Sequence, residues 1–432
     1  MGFPGPKAES VIRKNKEIYA KNTAGSRIIP RTGEGAIITT VDGFKDIDLH
    51  CDAGVNSLGH RPKKILDAIK HHLFETDGLI FTEHHNAPNP EAIYLAEELL
   101  NSSPVPRPAK IFFANSGTEA NETARKLCMS FRHRREEKDR TLAIYFKYGF
   151  AGRTLGSLPG TSSKPQVQRD IFWSKDDKHD SLYVFYPQAG HDWSETKKEF
   201  DRINLQYVDR ILMELPCQGE GGIVPVEEKA LKYIYDACQK AGVIFISDSV
   251  QAGMGRTGTL YGCDKFSWFH PDILVLAKAL GGGYPVSAII FRKRLDFDKR
   301  GQHSNTFGGG SLGSVMALAA LKELKLLISL GAVEKIEKIL DERLRGILKS
   351  KHVKDIRGMG AMWGVEFYSE KIRDLVIKKG EAFARTEEYG LRLLSAGHEG
   401  NYAIRIMPPF VIEEELLHKA MDLFEKALRA LG

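Results

Sequence analysis

Cysteine is scarce. The five present, Cys51, Cys128, Cys217, Cys238 and Cys263, are odd in number, scattered and never spaced C-x-x-C. That excludes a disulfide framework and a cysteine zinc site, so no metal is expected, and it fits reduced thiols in a cytoplasm. Long apolar runs are missing too. No stretch approaches the roughly 18 residues that would span a bilayer, and residues 1–10 hold two prolines and no apolar segment of secretory type. The expected location is the cytoplasm, with no membrane partner. No sign of charge dominates: 62 Lys and Arg stand against 56 Asp and Glu, a formal net charge of +6. The densest basic stretch, residues 132–140, is broken by Glu136, Glu137 and Asp139. It reads as a solvated helix face, and no nucleic-acid partner is expected. Internal repeats and low-complexity linkers are absent as well.

What remains is an ordinary globular composition, 42% hydrophobic and 27% charged over 432 residues. At roughly 150 residues per domain this length implies two or three units. Single cores stop growing near about 250–300 residues, so one unit should be large and one small. Short apolar runs at 111–113, 142–146, 211–213, 243–246, 273–276 and 288–291 are bounded by Gly, Asn, Asp or Pro and alternate with helical patterns. Ala124, Leu127, Cys128 and Phe131 recur at i, i+3, i+4 and i+7, the spacing of one helix face. Strands alternating with helices predict an α/β fold with a mostly parallel sheet. Residues 33–48 read as strands. Beyond Leu330-Gly331 come a basic amphipathic helix, a strand at 365–367, another helix and a strand at 402–406.

Asn115-Ser116-Gly117-Thr118-Glu119 follows the first run and opens a helix. Ser116 with Glu119 is a capping-box pattern. The same segment offers free N–H groups, a glycine and two hydroxyls to an anion such as a phosphate. Both readings fit it equally. Gly253-Met254-Gly255-Arg256-Thr257-Gly258 matches G-x-G-x-x-G, but no helical periodicity follows, and Asp272 precedes the next strand where ribose binding needs an acid at that strand's end. A dinucleotide site is therefore rejected.

Asp248 and Lys278 lie at the carboxyl ends of two successive strands, where open α/β sheets bind ligands. Alone, either reads as a turn aspartate or a surface lysine. Together they are the two protein groups that pyridoxal 5′-phosphate (PLP) requires: a carboxylate that keeps the ring nitrogen protonated, and a lysine that forms a Schiff base and moves protons.

Taken with Asp52-Ala53-Gly54-Val55-Asn56-Ser57-Leu58-Gly59-His60 and Arg405-Ile406-Met407-Pro408-Pro409, these segments resemble the class III PLP-dependent aminotransferases through nearly the whole chain. The resemblance implies PLP-dependent transferase fold type I, the aspartate-aminotransferase-like fold. A large PLP-binding domain would span 61–329. A smaller α+β domain would combine 1–60 with 330–432. It also implies ping-pong transfer of an amino group from an amino acid donor, of the 4-aminobutyrate/ornithine type or an α-amino acid, to a 2-oxo acid acceptor such as 2-oxoglutarate.

By resemblance, Lys278 and Asp248 are catalytic. Ser116, Gly117 and Thr118 form the phosphate loop, and Phe150 and Val250 sandwich the pyridine ring. Gln251 meets the phenolic oxygen. Phe150-Ala151-Gly152-Arg153-Thr154 stands where the family usually has F-H-G-R-T, with Ala151 in place of His. Thr306, in Thr306-Phe307-Gly308-Gly309, would reach a phosphate in a neighbouring subunit. That makes the protein an obligate homodimer with shared active sites, and leaves a tetramer open. Arg405 matches the α-carboxylate clamp and Arg153 a distal-carboxylate site, with a structural ion pair as the alternative for Arg153.

One segment departs from the pattern. The family's Glu-Pro-(Ile/Val)-Gln-Gly-Glu, whose first Glu is expected to pair with the clamp arginine, reads Glu214-Leu215-Pro216-Cys217-Gln218-Gly219-Glu220 here. Leu215 falls at the position of that first Glu. Glu214 is one residue off and in a strand would face the other way, unless a bulge at Pro216 restores it. Arg405 would otherwise stay unpaired and favour α-amino chemistry, which raises a PLP-dependent racemase of the same fold as an alternative.

Overall fold

The computed structural model describes residues 3–21, 26–172 and 180–432. Strands β1 (Pro30–Glu34), β2 (Ile37–Thr40) and β3 (Lys45–Asp48) form an antiparallel meander, as residues 33–48 suggest. The next four are β4 (Ala109–Ala114), β5 (Leu142–Phe146), β6 (Ser181–Val184) and β7 (Val208–Glu214). A two-residue ladder, β8 (Cys217–Gln218) with β9 (Val224–Pro225), comes after them. Then come β10 (Ile244–Asp248), β11 (Ile273–Leu276) and β12 (Ser287–Arg292).

The central sheet has seven strands in the order β4-β12-β11-β10-β7-β5-β6. The four pairings from β11 through to β6 are parallel, and β12 runs antiparallel to both neighbours. This is the mostly parallel sheet expected from the alternation of strands and helices. All five residues of β10, Ile-Phe-Ile-Ser-Asp, are buried, because helices cover both faces of a parallel sheet. One face meets the helix Gly117–Arg134: its Ala120, Ala124, Leu127, Cys128 and Phe131 share a core with Ile244, Ile246, Ile273 and Val275. The alternate residues Phe245, Leu274 and Leu276 enter the larger core on the other face.

The last five strands are β13 (Val353–Met359), β14 (Met362–Phe367), β15 (Gly390–Arg392), β16 (Leu394–His398) and β17 (Asn401–Ile406). Four form the antiparallel sheet β13-β14-β17-β16, while β15 leaves it and pairs in parallel with β3, Leu391 opposite Ile47. The amphipathic helix Ala332–Ile347 buries Val333, Ile336, Leu340, Leu344 and Ile347 along one stripe. The rejected dinucleotide motif forms turns, and its Arg256 is buried, donating to the carbonyls of Ala361 (3.0 Å) and Pro408 (2.6 Å) and to Ser57 Oγ (2.7 Å). All five cysteines are free and buried, and burial pushes their thiols up, so they behave as small apolar groups. Among the described residues, no helix is long and apolar enough to cross a membrane.

Candidate active site

The carboxyl ends of three neighbouring strands converge on one cavity of about 470 Å³. Asp248 closes β10 and lies in register with Glu214, the last residue of β7. Lys278 follows β11 by two residues. Its backbone is left-handed, with φ of 50°, a conformation that costs a non-glycine residue about 1–3 kcal/mol and tends to be kept at functional sites. Ser116, Gly117, Thr118, Phe150, Arg153, Asp248, Val250, Gln251 and Lys278, all singled out from sequence, line this cavity.

Each group is held by its surroundings. Asp248 is 3% exposed; Oδ1 accepts the Val250 N–H (2.9 Å) and Oδ2 the Asn121 amide (2.8 Å). Burial pushes its pKa up, opposed by those hydrogen bonds and by Lys278. Burial lowers the Lys278 ammonium to about 8, helped by Arg405 and opposed by Glu220, Glu214 and Asp248. A lysine so placed exposes a neutral, nucleophilic amine far nearer pH 7 than an ordinary one.

The helix Gly117–Arg134 meets the cavity with its N-terminus. Ser116 completes the capping box: Oγ accepts the Glu119 N–H (3.4 Å), and the Glu119 carboxylate accepts from the N–H of Ser116 (3.0 Å) and Asn115 (2.7 Å). The N–H groups of Gly117 and Thr118 belong to the first turn and have no intrahelical acceptor. A Cβ at Gly117 would stand 2.9 Å from Val250 Cγ1, so glycine permits this close approach. The Thr118 hydroxyl joins those of Thr154 (2.7 Å) and Ser157 (2.6 Å). Both readings of this segment, helix cap and anion cradle, are thus compatible in one structure. Gln251 donates its amide to the Ala53 carbonyl at 2.9 Å. Ala151 is buried and lines the cavity, its Cβ packed so closely on Gly160 that a Cβ added at Gly160 would stand 2.6 Å from it.

Arg153 is exposed at the margin, its guanidinium carbon 5.8 Å from the Phe150 ring centroid. Among the described residues it has no carboxylate partner within 4.0 Å. Thr306 is exposed and does not line the cavity of its own chain.

The departure at residues 214–220 resolves differently from the expectation. β7 ends at Glu214, so the alternation of a strand does not extend to Leu215 and beyond. Leu215 is fully buried in the core, and Glu214 faces the cavity, its carboxyl accepting the N–H of Phe150 and of Gly219, each at 3.0 Å. Burial, with Asp248 nearby, pushes Glu214 up to about 8. Nor is Arg405 unpaired. It donates to Glu220 Oε1 at 2.8 Å and to the Ser395 carbonyl at 3.0 Å. Burial alone would raise Glu220; Arg405 outweighs it and holds Glu220 below the usual carboxylate range. The last glutamate of the motif, rather than the first, is the partner of the arginine. The racemase alternative rested on a free Arg405 and loses its support. Sequence reasoning also passed over Asn121, whose only signal was its place one helical turn after Gly117.

The donor set suits PLP: a buried amine of lowered pKa, a buried carboxylate across from it, unpaired helix N–H groups for a phosphate, and apolar walls from Phe150 and Val250. Fold and cavity thus define a PLP-dependent transferase of fold type I. A model of the family described as aminotransferase class-III matches residues 18–428. The chain is 32% identical over 418 residues to the acetylornithine aminotransferase of Clostridium acetobutylicum, covering 95% of this chain and 99% of that one. A Toxoplasma gondii ornithine aminotransferase structure, with partial occupancy of PLP at its active site, superposes with a TM-score of 0.82 at 25% identity, over 98% of this chain and 94% of that one. A Bacillus anthracis aminotransferase matches in fold with a TM-score of 0.85 at 24% identity, over 99% and 100%. The chain belongs to the class-III aminotransferase family. It is an enzyme of PLP-dependent amino transfer.

Proposed function

We propose that the donor carries its reacting amine at the end distal to its α-carboxylate, as ornithine, acetylornithine and 4-aminobutyrate do, and that the acceptor is 2-oxoglutarate. The Arg405–Glu220 ion pair carries this reading. With its charge already matched, Arg405 does not draw an α-carboxylate to the reacting end of a donor. A 2-oxo acid must displace Glu220 to reach it. Arg153, exposed and without a carboxylate partner among the described residues, suits the distal carboxylate of a dicarboxylic acceptor.

PLP, when bound, supplies an aldehyde carbon that exchanges amines and a ring that withdraws electrons. Asp248, its carboxylate anchored through both oxygens, would hold a proton on the ring nitrogen. Lys278 Nζ takes a proton from the donor carbon that bears the amine and returns it during transfer, a task suited to a pKa of about 8. Gly117 and Thr118 would hold the phosphate with backbone N–H groups, and Phe150 and Val250 would supply apolar walls for the ring. Gln251, steadied on Ala53, would meet the phenolic oxygen.

We read residues 61–329 as the PLP-binding domain, and 1–60 with 330–432 as the smaller one; the pairing of β3 with β15 supports this. The assembly is a homodimer in which Thr306 serves the partner's site. Its exposure beside exposed Phe307, and the exposed Leu79 and Ile80, support that. A panel of ornithine, acetylornithine, 4-aminobutyrate, lysine, alanine and leucine, each with 2-oxoglutarate or pyruvate, tests the reading. Alanine and leucine outpacing every ω-amino donor would refute it. Arg153→Ala should raise KM for 2-oxoglutarate and leave that for pyruvate unchanged.

A further inference from the structure

Asn121 sits on the second turn of the helix Gly117–Arg134, 5% exposed, and lines the cavity. Its side-chain amide has two hydrogens, and both are used. One goes to Asp248 Oδ2 at 2.8 Å and the other to the Ala151 carbonyl at 2.9 Å. Its own Oδ1 is buried with no partner among the described residues. A residue kept for packing would not leave a buried acceptor unpaired, since an apolar side chain of like size fills the volume without that cost. What asparagine provides here is the two donors.

These two donors join opposite parts of the site. Asp248 Oδ1 already accepts the Val250 N–H at 2.9 Å, so the second bond from Asn121 fixes the plane of the carboxylate. The bond to Ala151 ties down the loop that carries Phe150. We propose that Asn121 is a positioning residue for amino transfer. It keeps Asp248 ionised and turned toward the ring nitrogen of PLP, in register with the Phe150 loop. This rests on Asp248 being the group that holds that nitrogen. The groups that face Asp248 are Asn121 and the Val250 N–H, with Lys278 and Glu214 as its charged neighbours. Without Asn121 the ionised carboxylate loses one of its two donors. Its pKa rises, and the ionised fraction at a given acidic pH falls.

The test uses Asn121→Ala, Asp248→Asn and the double variant, as apoprotein for binding and PLP-loaded for kinetics. It measures the Kd of the apoprotein for PLP, the pH profile of kcat/KM, and thermal unfolding. A hydrogen bond to a charged group corresponds to about tenfold in an equilibrium. Asn121→Ala should therefore weaken PLP binding by about tenfold and move the acid limb of kcat/KM up by about one pH unit, with cooperative unfolding retained. In the Asp248→Asn background, Asn121→Ala should add little to either loss. A folded Asn121→Ala with wild-type affinity and an unmoved acid limb would overturn the proposal, as would an equal further loss in the double variant. If Asn121→Ala fails to fold, Asn121→Ser, which keeps one donor, carries the test with the same two outcomes. A wild type that takes up no PLP would instead sink the functional reading beneath it.

Discussion

Buried Arg405 forms an ion pair with half-buried Glu220, Nη1 to Oε1 2.8 Å, and Glu220 faces the cavity that holds Lys278. A substrate carboxylate and Glu220 compete for one guanidinium. Glu220→Gln removes the competing charge. The ratio of kcat/KM for α-amino over ω-amino donors should then rise by about tenfold, the equivalent of one charge-assisted hydrogen bond. Steady-state kinetics on ornithine and alanine check this; an unchanged ratio would remove Arg405 from donor selection.

Lys278→Ala should abolish turnover, by at least about a thousandfold, because the group proposed to move the proton is gone. The visible absorption of bound PLP should change as well, since no amine of the chain reaches its aldehyde carbon. Absorption spectroscopy of the purified variant with added PLP reads this directly. A wild-type spectrum would assign the role to another lysine.

Capture of PLP by the apoenzyme should speed up as pH rises through about 8, the value to which burial brings Lys278. The sign is set by the nucleophile: below that pH the amine is protonated and inert, above it the amine is free. Stopped-flow absorbance across this range tests it. A midpoint near 10.5, the ordinary lysine value, would mean that the cavity does not desolvate the amine.

Arg256→Ala should destabilise the fold by about 3–5 kcal/mol, since it strands three buried acceptors on Ala361, Pro408 and Ser57. Urea unfolding measures the loss. A variant within about 0.5 kcal/mol of wild type would show that water replaces the guanidinium.

Asp248 and Lys278 were legible because each closes or follows a short apolar run, and strand ends are where an α/β sheet gathers its chemistry. The helix opened by Ser116 was equally plain, since a capping box is a local signal. Glu214 was not legible: strand alternation was extended past Glu214, where β7 stops. The partner of Arg405 lay 185 positions away on a loop, and no local pattern encodes such a contact. Strands β6 and β13 also escaped. β6 is a four-residue edge strand, and β13 carries Lys354, Asp355 and Arg357 among its apolar residues. Arg357 is buried all the same, because Glu366 pairs with it at 2.6 Å.

The parallel pairing of β15 with β3 sets a condition on how the chain is made. During synthesis Asp46 emerges long before Gly390. At about 5–20 residues per second the meander of β1, β2 and β3 waits tens of seconds with one edge open. An open edge is where a nascent chain pairs with the wrong neighbour. The charged residues Lys45, Asp46 and Asp48 on β3 guard that edge until its late partner arrives.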